Sequence, residues 1–267
     1  MVRKVLTYRI YLDIRGYDLM DIFVEIQRHG MMQDFITSYE LEPTDEILSA
    51  QAMSFFIAGA NTTANTMHYT LVELSNNPDI LTKLHEEIDK VFEGRSEELT
   101  YKDIEKFHYL DKILNETMRK YPPIGIIQRL CSKDTVLPSG VKIAKGNIVL
   151  IPVFALHRDK KYYPNPDVFD PERFSSENDL KSIFNDFGEN DLNTNNYVYL
   201  PFGAGNRLCF GYRFARLQMK VGLAQILRHF TLVEQNVTPK FERSPFSICS
   251  PTTRYELKFR DVLLNQD

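Results

Sequence analysis

Stretches with a helical repeat of apolar positions dominate the first 120 residues, and shorter, less regular runs dominate the rest. Residues 1–40 break into helical pieces, with Gly30 as the expected stop. Glu42-Pro43-Thr44-Asp45-Glu46 marks a helix start: Thr44 can cap, and two acids fall in the first turn, where the helix dipole favours them. The long helix opened here covers about residues 44–76. Its middle, Ala52-Met53-Ser54-Phe55-Phe56-Ile57-Ala58-Gly59-Ala60, is apolar on all sides, as in a helix that is buried or spans a membrane. Asn61, Thr62, Thr63 and Asn65 interrupt that run and favour burial.

Asn77 before Pro78 predicts a cap with proline at the first helical position, and a helix to about Phe92. Gly94-Arg95-Ser96 reads as a turn, and Thr100 with Asp103 as a capping-box pair opening a short helix. A helix over Asp111 to Lys120 is stopped by Pro122-Pro123. Residues 124–155 then hold short β-rich runs broken at Pro138, Ser139-Gly140 and Lys145-Gly146, as in the hairpins of a small sheet. Residues 156–200, rich in proline, aspartate and asparagine, read as mostly irregular. A last helix is expected from about Tyr212 to Arg228, and short strands over 230–260. The expected fold class is mainly α with a minor β region and one long coil.

Composition narrows the function classes. With 43% hydrophobic and 25% charged residues, the 267-residue chain is too apolar for intrinsic disorder. A net charge of −4 with no basic stripe gives no reason to expect nucleic acid. Cys131, Cys209 and Cys249 are odd in number and far apart, which fits neither a disulfide framework nor a zinc site and favours a reducing compartment. His29, His68, His85, His108 and His229 lack metal-ligand spacing and read as packing or surface residues. No stretch approaches the roughly 20 apolar residues that span a bilayer, and the Met1–Leu6 start does not read as a signal peptide, so no membrane anchor is expected in this chain.

One segment carries candidate chemistry: Pro201-Phe202-Gly203-Ala204-Gly205-Asn206-Arg207-Leu208-Cys209-Phe210-Gly211, directly before an amphipathic helix. A metal-binding cysteine must be deprotonated, which a helix N-terminus favours. Hydrogen bonds to its sulfur tune the metal. Gly203, Gly205 and Gly211 allow tight curvature and close approach to a flat ligand. Arg207 offers a fork for a carboxylate, and Phe202 can pack near the sulfur. A buried cysteine beside a glycine-rich turn would explain a lone cysteine, but the Phe-x-x-Gly-x-Arg-x-Cys-x-Gly pattern is complete from Phe202 to Gly211.

That segment resembles the haem-binding loop of the cytochrome P450 family, and other motifs follow in family order over about residues 45–260. The resemblance implies the C-terminal half of the cytochrome P450 fold, a partial domain over 1–267, in the style of microsomal members. It implies Cys209 as the ligand of a haem b iron, with Phe202, Gly203, Arg207 and Gly211 around the haem and Arg129 as a further propionate contact. Glu116 and Arg119, three apart on one helix face, together with Arg173 in the coil, would form a buried charge network that fixes the cysteine-bearing coil. Ala58 and Gly59 would open a groove for oxygen, with Thr62 steering protons. Asn61 stands where the family commonly has an acid, and an amide cannot titrate. His157 reads as structural.

By the same resemblance, the activity is insertion of one oxygen atom from O2 into a lipophilic small molecule, with electrons from an NADPH-dependent flavoprotein reductase, at the cytosolic face of the endoplasmic reticulum membrane. Two alternatives remain: a peroxide isomerase or dehydratase on the same scaffold, which needs no acid at Asn61, and an inactive truncated fragment. Family members are roughly twice this long, so the expected product is a fragment with exposed apolar surface.

Overall fold

The computed structural model describes residues 2–33, 39–94, 99–175, 197–238, 241–243 and 249–260, with the side chains of 241–243 and 249–251 left aside. Arg95 and Ser96 of the expected turn, residues 176–196 of the expected coil and the Cys249 side chain lie outside the described residues. The chain divides into two compact units, residues 1–61 and 62–267. The described structure is mainly α, with small antiparallel ladders.

In the first unit, α1 (Val2–Leu12) and α2 (Leu19–His29) pack against the first half of α3 (Asp45–Asn76). Asp18 caps α2 by accepting from Met20 N–H, and Gly30 ends it at φ 79°. β1 (Met32–Gln33) pairs with β2 (Glu40–Leu41). Thr44 caps α3 weakly, its Oγ1 accepting from Ile47 N–H at 3.4 Å. Leu6, Phe23, Val24 and Leu48 form the core, with Ala52 and Phe55 against it.

Leu48, Ala52 and Phe55 follow the i, i+4, i+7 spacing of one helix face. The other face carries Met53, Phe56 and Ile57, which are 60%, 71% and 55% exposed. The expected burial of the apolar middle of α3 is therefore corrected: α1 and α2 cover one stripe of it and leave the rest in solvent. Among the described residues no helix is long and apolar enough to cross a membrane.

The second unit holds the rest of α3 with α4 (Pro78–Phe92), α5 (Tyr101–Ile104), α6 (His108–Lys120), α7 (Val153–Leu156) and α8 (Tyr212–His229). Leu74, Leu84, Ile88, Ile113, Leu114 and Leu223 are fully buried at its centre. The Thr100–Asp103 capping box opens α5 as expected. Asn77 makes no side-chain cap; its amide donates instead to Glu73 O at 2.7 Å.

α6 begins three residues before the expected Asp111 because Glu87 on α4 accepts from Tyr109 N–H (2.6 Å) and Leu110 N–H (3.0 Å). Two of its orphan donors are thus satisfied from another helix, and no local pattern could show that. β3 (Ile127–Leu130) pairs with β6 (Ile148–Ile151), and β4 (Thr135–Val136) with β5 (Lys142–Ile143). β7 (Phe230–Leu232) pairs with β10 (Leu257–Phe259), and β8 (Phe241–Arg243) with β9 (Cys249–Pro251). The expected hairpins therefore form separate two-stranded ladders.

Candidate functional site

The cysteine segment is a tight loop leading into α8. Cys209 N–H donates to Phe202 O at 2.9 Å, Leu208 N–H to Gly205 O at 2.9 Å, and Gly203 N–H to Leu200 O at 3.2 Å. Gly203 and Gly205 hold φ of 77° and 66°, where a side chain is strained. A Cβ on Gly203 would meet only ordinary contacts, Arg207 O at 3.6 Å and Ile127 Cδ1 at 3.8 Å, so the dihedral and not crowding requires glycine. A 3-10 helix over Gly205–Arg207 follows, and α8 starts at Tyr212, just after Cys209. Cys209, Arg207 and Phe210 are exposed, whereas Phe202 packs against the main core with its ring 6.3 Å from that of Tyr212.

The loop is held from behind by α6. His157 is fully buried; its Nε2 accepts from Leu200 N–H at 2.9 Å. Its Nδ1 lies 3.2 Å from Arg119 O, so the proton sits on Nδ1 and donates there. Burial pushes His157 down to about 3, which keeps the ring neutral. Tyr199 stacks on the imidazole at 5.2 Å and donates its hydroxyl to Asn115 O at 2.9 Å. On the other side, Arg216 of α8 donates to Asn115 Oδ1 (2.8 Å) and Asp111 Oδ1 (2.6 Å), and Lys220 to Asp111 Oδ2 (2.7 Å). α6 thus grips both the segment entering the cysteine loop and the helix leaving it.

The structure brings Glu116, Arg119 and Arg173 together. Glu116 and Arg119 are completely buried and paired through two hydrogen bonds of 2.7 and 2.8 Å. Arg119 also donates to His157 O (2.9 Å) and Pro166 O (2.8 Å), and Asp170 N–H donates to Glu116 Oε1 (3.0 Å). Burial pushes the Glu116 carboxyl up, against the pull of Arg119. Arg173, placed on a 3-10 helix (Pro171–Phe174), reaches Glu116 Oε1 at 3.5 Å as an ion pair without a hydrogen bond there, and donates instead to Asn165 O at 3.0 Å.

The remaining candidates fall in both units. In the first, Ala58 and Asn61 are exposed on α3, and a Cβ on Gly59 would meet nothing within 4 Å. In the second, Thr62 O accepts from Thr66 Oγ1 at 3.0 Å, and the buried Thr63 Oγ1 has no hydrogen-bond partner among the described residues. Arg129 is half-buried on β3 and donates to Gln128 O at 2.8 Å. Sequence reasoning missed the bracing by Asp111, Asn115, Tyr199, Arg216 and Lys220. Those partners lie up to 109 residues apart and carry no shared local signal.

The Cytochrome P450 family model matches residues 3–259. The chain belongs to the cytochrome P450 family. It is 39% identical over 214 residues to cytochrome P450 3A12 of Canis lupus familiaris, covering 80% of this chain and 39% of that protein. It is 36% identical over 230 residues to probable cytochrome P450 6a13 of Drosophila melanogaster, covering 86% of this chain and 43% of that protein. With cytochrome P450 9e2 of Blattella germanica it shares 40% identity over 197 residues, 73% of this chain and 35% of that one. The chain spans about two-fifths of the length of these cytochrome P450 relatives.

The family implies a haem cofactor, and the cysteine loop fits one. Cys209 is exposed, and a Cβ on Gly205 or Gly211 would meet nothing within 4 Å, so the loop offers open space beside the sulfur-bearing residue. Among the described residues no group of three or more His, Cys, Asp or Glu could hold a metal ion. A single thiolate donor suits an iron whose other ligands come mostly from a macrocycle, as in cytochromes P450 themselves.

Proposed function

We propose that this chain is the haem-bearing portion of a monooxygenase that inserts one oxygen atom from O2 into a lipophilic small molecule. The observation that carries this reading is the exposed Cys209 at the head of α8, on a loop whose entry is fastened by buried His157. Bound haem b would supply oxygen activation, which a thiolate ligand favours by pushing electron density towards O–O cleavage in this family. In balance, one oxygen atom enters a C–H bond of the substrate and the other leaves as water. Two electrons come from an NADPH-dependent flavoprotein reductase and two protons from solvent.

The chain's own residues would divide the remaining tasks. Cys209 ligates the iron, Phe202 shields the sulfur side, and Arg207 and Arg129 hold the propionates. Gly203, Gly205 and Gly211 let the backbone approach the flat ring. Ala58 and Gly59 leave room on α3, and Thr62 positions a proton. Asn61 can hold a water there but cannot release a proton itself. Glu116, Arg119 and Arg173 position the loop without touching substrate. By likeness to its microsomal relatives, the whole protein would work at the cytosolic face of the endoplasmic reticulum membrane.

Asn61 specifically favours a second reading, an isomerase or dehydratase that consumes a peroxide and needs no reductase. Turnover of a lipid hydroperoxide without reductase would select it. For the main reading the test is haem titration of the chain and of Cys209→Ala. Stoichiometric uptake by the first and clearly weaker uptake by the second is expected. Equal uptake by both would overturn Cys209 as the ligand.

A further inference from the structure

Two cations of α8 share one carboxylate of α6. Arg216 donates to Asp111 Oδ1 (2.6 Å) and Lys220 to Asp111 Oδ2 (2.7 Å). Arg216 also donates to Asn115 Oδ1 (2.8 Å), a neutral acceptor that adds no negative charge. In this triad positive charge exceeds negative by one. Arg216 and Lys220 are 9% and 6% exposed, too deep to present that charge to another molecule. It acts inside the second unit, where solvent ions screen it little.

Holding α8 on α6 needs only one of these ion pairs. The second cation adds a cost. Like charges four residues apart on one helix repel, and each buried charge gives up its hydration. A sequence that breaks a local rule in this way commonly does so for function.

The field points at the cysteine loop. α8 begins at Tyr212, just after Cys209, and its N-terminal end is the positive end of the helix dipole. Arg216 and Lys220 lie about 6 and 12 Å along the helix from Tyr212, from the rise per residue. Their charge has the same sign as that end. Its reach shows at Tyr199, ahead of the loop: burial raises the Tyr199 hydroxyl, and the Arg216 charge acts against that rise. A surplus of positive charge favours whichever state of the loop side carries one more electron.

We propose that Arg216 and Lys220, sharing Asp111, raise the reduction potential of the haem held by Cys209. Each transfer then takes one electron from the reductase flavin to the iron more readily, with no bond made or broken. The three side chains act through their field and are not catalytic residues. The proposal rests on Cys209 as the haem ligand.

The test is a spectroelectrochemical titration of the haem-supplied chain and of Lys220→Gln, Lys220→Arg and Asp111→Asn. Each is first checked for the red-shifted thiolate–iron–carbon monoxide band. Lys220→Gln removes the surplus cation and keeps the Arg216–Asp111 pair. At a fixed applied potential its ratio of reduced to oxidised haem should fall about three- to tenfold, the order for one unit charge at such range and an effective dielectric near 20. Asp111→Asn leaves two cations without their carboxylate and should raise the ratio by a similar factor. Lys220→Arg keeps the charge and should leave it unchanged.

No shift in Lys220→Gln and Asp111→Asn, or a shift of the same sign in both, would overturn the proposal and leave Cys209 standing as the ligand. A merely structural joint would lower haem content in both and leave the potential of the haem-bearing molecules unmoved. Should Asp111→Asn not fold, Lys220→Gln and Lys220→Arg decide alone, and equal potentials in the two would overturn the proposal. Absence of the band in the unsubstituted chain would overturn the ligand reading itself, and this proposal with it.

Discussion

His157 Nε2 accepts a hydrogen bond from Leu200 N–H at 2.9 Å, just ahead of the cysteine loop. The same ring is anchored through Nδ1 to Arg119 O, and Arg119 returns a bond to His157 O. One neutral imidazole therefore joins the buried Glu116–Arg119 pair to the segment that enters the loop. The Leu200 backbone is thereby tied to α6.

Replacing His157 by alanine leaves Leu200 N–H buried without a partner and opens a cavity. A loss of about 2–4 kcal/mol is expected from the orphaned donor and the missing ring together. Urea unfolding of the apo chain measures it. An unchanged midpoint would show that the strap is held by something else.

The same ring sets a pH dependence. Its folded value lies near 3, below the ordinary histidine value, because burial disfavours the charged form. The unfolded chain therefore binds the proton first. The stabilisation from neutral His157 is complete above about 6.5 and is lost as the pH falls from there towards 3. Burial also lowers His85, to about 4, so the wild type alone does not isolate the effect. The difference in unfolding free energy between wild type and His157→Gln should shrink across that window. A constant difference would contradict a buried, neutral His157.

Glu116→Ala strands the buried Arg119 guanidinium and should cost about 3–5 kcal/mol, with reduced haem incorporation. Arg173→Ala removes an ion pair at 3.5 Å without a hydrogen bond and should cost about 1 kcal/mol or less. Denaturant titration of both variants checks the ranking. Equal losses would mean that all three residues form one tight network.

Much of the helical frame was legible because its signals are local. Asp45 and Glu46 after Thr44, Pro78 after Asn77, and the Thr100–Asp103 box each lie within a few residues of the element they start. The charged pair of the site was legible for the same reason, since Glu116 and Arg119 share one turn of α6. The start of α6 was not, because its capping carboxylate, Glu87, comes from another helix. His157 was legible as structural, but its partners were not, nor was the bracing by Asn115 and Arg216, whose contacts close loops of many tens of residues. The apolar middle of α3 misled for a different reason: periodicity shows which faces are apolar, not whether the chain holds a partner for each.

Two glycines should respond in opposite directions. Gly203→Ala forces a side chain onto φ 77° and should cost about 1–2 kcal/mol. Gly59→Ala, mid-helix with open space around the new Cβ, should gain about 1 kcal/mol. Thermal unfolding of the two apo variants would show it. A gain at Gly203 would contradict the left-handed turn that shapes the cysteine loop.

Ligation of haem iron by Cys209 is read most directly in the visible spectrum of the haem-supplied chain, reduced and exposed to carbon monoxide. The red-shifted band of a thiolate–iron–carbon monoxide complex is expected, absent in Cys209→Ala. A soluble, folded chain that takes up haem but gives no such band, or gives it equally in Cys209→Ala, would rule out Cys209 as the ligand.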